Sequence, residues 1–148
     1  MPASTIFVGS SVAARAQAKQ LIGALASPAI EFLPWWDAFT AGDTLLANLD
    51  RIRASIDAVL MVVSPESEST IRRKTVQLPN LNVLFEFGYF YGHFGSSRVA
   101  MIRYGEFYLP SDLGGYVPIF GSRAFKRGRA LPVGKRTKAE FGRWVAGI

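Results

Sequence analysis
Ala58-Val59-Leu60-Met61-Val62-Val63 is an unbroken apolar run that stops at Ser64-Pro65. Its length is that of a strand, and with no polar residue on either face it must be covered on both sides. That stretch confines the chain to folds in which a sheet lies between two other layers. It is also the longest apolar run in the sequence, far short of the ~20 residues of a bilayer span, so no membrane segment is expected.

The second constraint is Pro79-Asn80-Leu81-Asn82-Val83-Leu84-Phe85-Glu86-Phe87-Gly88-Tyr89-Phe90-Tyr91-Gly92-His93-Phe94-Gly95. Read as a helix, it is apolar almost all the way round, which implies packing on more than one side. At ~100° per residue, Asn82, Glu86 and His93 fall within about 40° of one another, with Tyr89 on the same edge. One polar stripe therefore runs down the helix, with a single carboxylate at its middle. An ionised carboxylate against apolar packing costs several kcal/mol unless it is paired or opens into a cleft. Glu86 is then either a catalytic acid at a pocket mouth or a buried glutamate bonded to an arginine or to backbone N–H groups. The helix alone does not choose.

Elsewhere, strands alternate with helices. Thr5-Ile6-Phe7-Val8 reads as a strand running into Gly9-Ser10-Ser11. Serine suits the cap of the next helix, whose Ala14, Ala18, Leu21, Ile22 and Leu25 recur at helical spacing. In a parallel sheet this puts Gly9 to Ser11 at the carboxyl edge, where α/β proteins bind ligands. The turn has neither G-x-G-x-x-G nor a Walker lysine, so a dinucleotide fingerprint and a P-loop both lack support. Ile30-Glu31-Phe32-Leu33 is a second strand. Pro34 to Asp43 reads as a loop with Trp35, Trp36 and Phe39, suited to core packing or to stacking on a base or nicotinamide ring. Asp43 or Thr44 caps a helix with the stripe Leu45, Leu49, Ile52 and Ile56.

Glu66 to Leu78 is polar, carries Arg72-Arg73-Lys74, and reads as an exposed loop or short helix. Arg98 to Arg103 and Tyr116 to Phe120 are further strands, with the turn-rich Tyr108 to Gly115 between them. Thr137 to Val145 is a closing helix. The pattern gives an α/β three-layer sandwich around a central parallel five-stranded sheet, flavodoxin-like in broad architecture.

At 148 residues the chain is one domain's worth. It has no cysteine and one histidine, His93. A disulfide framework, a thiolate metal site and a multi-histidine metal centre are thereby excluded, and no metal is expected. A basic-then-apolar leader is not seen, and the expectation is a soluble cytoplasmic protein. The net charge of +6 is uneven: residues 1–122 carry −1 and residues 123–148 carry +7. Residues 1–122 therefore read as the folded core, and 123–148 as a basic C-terminal segment with a terminal helix. No nucleic-acid motif or aromatic-interleaved basic surface accompanies the charge, so no nucleic-acid partner is expected and a solvated segment is favoured.

Five segments, in order over about residues 5–120, resemble the TIR-like domain of bacterial anti-phage effectors, the CD-NTase-associated and Pycsar effector TIR family. It includes the TIR half of TIR–STING effectors. The segments are Ile6-Phe7-Val8-Gly9-Ser10-Ser11, the Trp36…Phe39…Gly42 loop, Ala58 to Pro65, Asn82-Val83-Leu84-Phe85-Glu86-Phe87-Gly88, and Leu109-Pro110-Ser111-Asp112-Leu113. The resemblance implies a TIR fold and hydrolysis of NAD⁺ to nicotinamide and ADP-ribose-type products, with NAD⁺ as substrate and no cofactor. It places the essential glutamate at Glu86. It places substrate-lining positions at Gly9, Ser10 and Ser11, at Trp36, Phe39 and Asp43, and at Asp112. Asn82, one turn before Glu86, is suited to orient it, to bind a ribose hydroxyl, or to cap the helix. Some TIR enzymes carry an arginine after the first strand where this chain has Ser11, which leaves the substrate's phosphates without an assigned partner. The resemblance further implies control by homo-oligomerisation through TIR–TIR contacts and a fused cyclic-nucleotide sensor domain.

The chemistry suits one carboxylate. Cleaving a ribosyl–nicotinamide bond passes through an oxocarbenium-like state, as in glycoside hydrolysis. Nicotinamide leaves as a neutral pyridine and needs no proton, so one group that stabilises or attacks the cation is enough. Two alternatives stand beside this reading. One is a nucleoside deoxyribosyltransferase-like enzyme with a glutamate nucleophile; the other is a non-catalytic TIR scaffold that acts by homotypic assembly.

Overall fold
The computed structural model describes residues 2–148. Along the chain run β1 (Ser4–Gly9), α1 (Arg15–Leu25), β2 (Ile30–Pro34), the single-turn helix α2 (Trp35–Ala38), α3 (Leu45–Arg53), β3 (Ala58–Val63), β4 (Pro65–Ile71), β5 (Lys74–Pro79), α4 (Leu81–Phe94), β6 (Val99–Tyr104), β7 (Ile119–Ser122) and α5 (Lys135–Val145). The apolar run is β3, buried along its whole length at the centre of a five-stranded sheet ordered β2-β1-β3-β6-β7. All four pairings are parallel, with Phe7 opposite Val59 and Met61 opposite Met101.

Alternation along the strands divides the core in two. Ile6, Val8, Leu60, Val62 and Ile102 face α1 and α5, meeting Ala18, Leu21 and Phe141. Phe7, Val59, Met61, Val63 and Met101 face α3 and α4, meeting Leu49, Ile52, Val83, Phe87 and Phe90. This is the three-layer sandwich that the apolar strand requires. At the carboxyl end of β1, a Cβ on Gly9 would lie 2.5 Å from the Met61 sulfur, so glycine there lets Met61 fill the α3/α4 side.

Several elements differ from the expectations. Residues 66–78 form neither loop nor helix: β4 and β5 make an antiparallel hairpin outside the main sheet. Its turn is Arg72-Arg73, both at positive φ (51° and 66°), a primed turn without the Asn-Gly that signals one. Residues 35–38 of the expected aromatic loop wind into one helical turn. α1 has Ala14, not a serine, at its N-cap, while Ser11 Oγ accepts from the Ala14 N–H at 3.2 Å. The fifth strand begins at Ile119 rather than Tyr116. Helix α4 is packed over part of its circumference only: Leu81 is 71% and Phe85 51% exposed, and Gly88 and Gly92 open onto space along the same stripe.

The basic segment is built into this body. Phe141 of α5 is buried in the α1-side core. Thr137 Oγ1 donates to the Phe120 carbonyl at 2.7 Å, and Glu140 accepts from the Phe120 N–H at 2.9 Å. Fully buried Gln17 clamps both backbone groups of Leu131, at 3.0 and 2.8 Å. Its charges are solvated while its backbone is fixed. No helix among the described residues is long and apolar enough to cross a membrane.

Candidate active site
Helix α4 starts at the carboxyl edge of the sheet and descends against the strand direction, because the hairpin delivers the chain there from the end of β3. Asn80 starts it, accepting from the Val83 N–H at 3.1 Å and donating to Glu66 Oε2 at 2.8 Å. The capping role weighed for Asn82 thus belongs to Asn80. Asn82 is exposed, with its side chain uncommitted among the described residues.

Glu86 lies one turn, about 6 Å, further down. It is 6% exposed and has Val83, Phe87 and Phe90 of its own helix in the core beside it. No hydrogen bond or ion pair reaches its carboxyl group from the described residues; their ion pairs are Arg53–Asp50, Arg103–Glu106 and Arg136–Glu140. Its oxygens are nevertheless not sealed, since the only sealed, unpartnered side-chain polar atom among the described residues is Arg15 Nε. The result is a desolvated carboxyl group whose remaining exposure is to solvent. Burial pushes its pKa from 4.5 up to about 7, because the charged form loses hydration without gaining a partner.

The other edge positions are arranged around the ends of β1 and β2. Ser10 Oγ accepts from Trp35 Nε1 at 2.9 Å and donates to the Ser11 carbonyl at 2.9 Å. Both serines are buried and their hydroxyls shape the turn. Trp36 packs toward the α1 side, beneath Arg15 (5.0 Å to the ring centroid) and Lys19 (5.7 Å). Trp35 and Phe39 pack toward the α3/α4 side, and Phe39 lies 6.1 Å from the Phe7 ring. Asp43 is exposed on a loop whose helix cap is Thr44, accepting from the Ala47 N–H at 3.1 Å. Asp112 is not brought to this edge. It lines a groove with Tyr91, Ser96 and Tyr116, beside the other end of α4.

Some residues at this edge were not legible in the sequence. Asn48, 4% exposed, binds the Thr40 N–H (2.7 Å) and the Thr40 and Thr44 carbonyls. Arg51 donates to the Ala38 carbonyl and Thr40 Oγ1 and bonds Asn48 Oδ1. Together they hold the 39–44 loop. Arg15 carries no ion pair among the described residues, and its guanidinium also lies 5.8 Å from the Trp35 centroid. A polar residue on an otherwise apolar helix face, as Asn48 is on α3, was the available signal.

A family model described as CAP12/Pycsar effector protein, TIR domain, matches residues 5–121. Pycsar effector protein PaPycTIR of Pseudomonas aeruginosa is 33% identical over 105 residues, covering 68% of this chain and 34% of the relative. CD-NTase-associated protein 12 of Flavobacterium daejeonense is 34% identical over 116 residues, covering 78% and 37%. The protein of the same name from Lachnospiraceae bacterium (strain RUG226) is 32% identical over 127 residues, covering 82% and 40%. The chain thus spans between about a third and two fifths of the length of these relatives.

Proposed function
The chain belongs to the TIR-domain family of CAP12/Pycsar effector proteins, and on that premise we propose that it cleaves NAD⁺ to nicotinamide and an ADP-ribose product, with Glu86 as the catalytic carboxylate. The single observation that carries this reading is an unpaired, desolvated Glu86 under the carboxyl edge of the sheet. A glutamate kept only for packing is expected to find a partner. Ionised and poorly hydrated, Glu86 interacts strongly with a ribose turning cationic. The bond from C1′ to the pyridinium nitrogen breaks with its electron pair leaving on nicotinamide. Water or Glu86 itself completes the carbon, and no proton is needed by the leaving group.

We place the reaction in an effector, the word that the name of the Pseudomonas aeruginosa relative carries, and propose that it serves anti-phage defence, with a sensor domain outside this chain receiving a cyclic-nucleotide signal. Assembly of copies belongs to the same proposal. Leu81 and Phe85, exposed beside the Asn82/Glu86 stripe, offer a neighbouring copy apolar area next to the site. The test is nicotinamide release from NAD⁺ by concentrated protein and by Glu86→Gln. Release by wild type that rises with concentration and vanishes in the variant is expected. Release of a base from nucleosides, but none from NAD⁺, would turn the reading toward a deoxyribosyltransferase-like enzyme.

A further inference from the structure
The substrate proposed above carries two phosphates, and Ser10 and Ser11 spend their hydroxyls on the turn itself. Arg15, at the start of α1, lays its guanidinium over Trp35 and Trp36, and a second cation near this edge comes from elsewhere in the chain. Lys126-Arg127-Gly128-Arg129 forms a tight turn closed by the Arg129 N–H donating to the Lys126 carbonyl at 3.1 Å. Gly128 sits at φ +70°, the left-handed conformation a glycine adopts at the third position of such a turn. The turn is docked: the Gly128 N–H donates to the Ala13 carbonyl at 2.9 Å, in the connection between β1 and α1. Three residues on, the buried Gln17 clamp holds Leu131.

Arg127 at the head of this turn lines a groove of about 420 Å³ with Glu66, Ser67, Pro79, Asn80, Leu81 and Asn82. It forms no ion pair among the described residues. Glu66, the acid sharing the groove, accepts from Asn80 Nδ2 at 2.8 Å through Oε2. The groove therefore opens at the start of α4, between an uncommitted guanidinium and the uncommitted amide of Asn82, one helical turn above Glu86. One ribose separates the reacting carbon of a nicotinamide nucleotide from its nearest phosphate, a span comparable with that turn.

We propose that the Lys126–Arg129 turn, through Arg127, holds the diphosphate of the nucleotide cleaved at Glu86. A substrate-binding residue would then lie outside the segment that the family model matches, 5–121. Planar guanidinium is suited to phosphate oxygens, and a backbone fixed on both sides of the side chain lowers the entropy lost on binding. The inference rests on the NAD⁺ reading of the site, and its test separates the two.

The experiment is steady-state nicotinamide release from NAD⁺ and from phosphate-free nicotinamide riboside by wild type, Arg127→Ala, Arg127→Lys and the distant charge control Arg143→Ala. Arg127→Ala is expected to raise KM for NAD⁺ about tenfold or more, with little change in KM for the riboside. Arg127→Lys should fall between, and Arg143→Ala should match wild type. An unchanged KM for NAD⁺ in Arg127→Ala, or equal increases for both substrates, would overturn the assignment while leaving NAD⁺ cleavage intact. Should wild type release no nicotinamide, the NAD⁺ reading fails first. Calorimetric binding of ADP-ribose to wild type and Arg127→Ala then decides alone: at least tenfold weaker binding supports the clamp, and equal or absent binding overturns it.

Discussion
The polar stripe of α4 behaves differently in its two halves. In the lower half, Tyr89 donates to Asp50 of α3, and His93 Nδ1 lies 3.4 Å from Arg53, which also sits over the Tyr89 ring. Every member finds a partner on the neighbouring helix. In the upper half, Asn82 and Glu86 find none among the described residues, and Arg51 of α3 does not turn to them. Arg51 is turned instead to the 38–40 backbone and to Asn48. Arg51 thus serves the loop beside the site. The polar residues of the lower half are satisfied here, while the buried carboxyl group of Glu86 is left without a partner among the described residues, at a cost in stability.

The comparison is tested most severely by Glu86→Gln, which keeps shape and removes charge. Its nicotinamide release from NAD⁺ is expected to fall about 10³-fold, while Tyr89→Phe and His93→Ala stay within a few-fold of wild type in the same assay. Next in size is a stability effect of opposite sign. Glu86 holds its proton more tightly folded than unfolded, so its contribution is harmless below pH 4.5. The cost then grows as pH rises through about 7, reaching about 3 kcal/mol. Denaturant unfolding should therefore find Glu86→Gln more stable than wild type at pH 8 and equal to it near pH 4. Asn48→Ala orphans the Thr40 N–H and takes one of two donors from each of the Thr40 and Thr44 carbonyls, and should cost about 2 kcal/mol, read by the same unfolding curves. Smallest is Tyr89→Phe, expected to lower stability by about 1 kcal/mol in the same unfolding curves.

Fold class was legible because its determinants are local. Ala58 to Val63 admits only a doubly covered strand, and the stripes of Leu21 and Leu49 recur at helical spacing. The hairpin at 65–79 was not, because its turn is made by two arginines in a conformation usually left to Asn and Gly. Glu86 was singled out by its apolar neighbours, but whether a partner would reach its carboxyl group is a tertiary matter that no spacing encodes. The same holds for the basic segment. Its composition reads as solvated charge, while Gln17, more than a hundred positions away, ties it to the site. Of the two adjacent tryptophans, sequence could not say that Trp35 would bond Ser10 and Trp36 would lie under Arg15. Asp112 sat in a recognisable Pro-Ser-Asp-Leu segment, yet the chain leaves it beside Tyr91 and Ser96.

The central claim is that Glu86 acts as a bare, desolvated carboxylate, and the pH dependence of NAD⁺ cleavage under single-turnover conditions tests it most directly. The rate should rise about tenfold per pH unit below 7 and level off above it, with Glu86→Gln about 10³-fold below the wild-type plateau and without that rise. A profile already flat from pH 5, or a Glu86→Gln variant that cleaves NAD⁺ as wild type does, would contradict it.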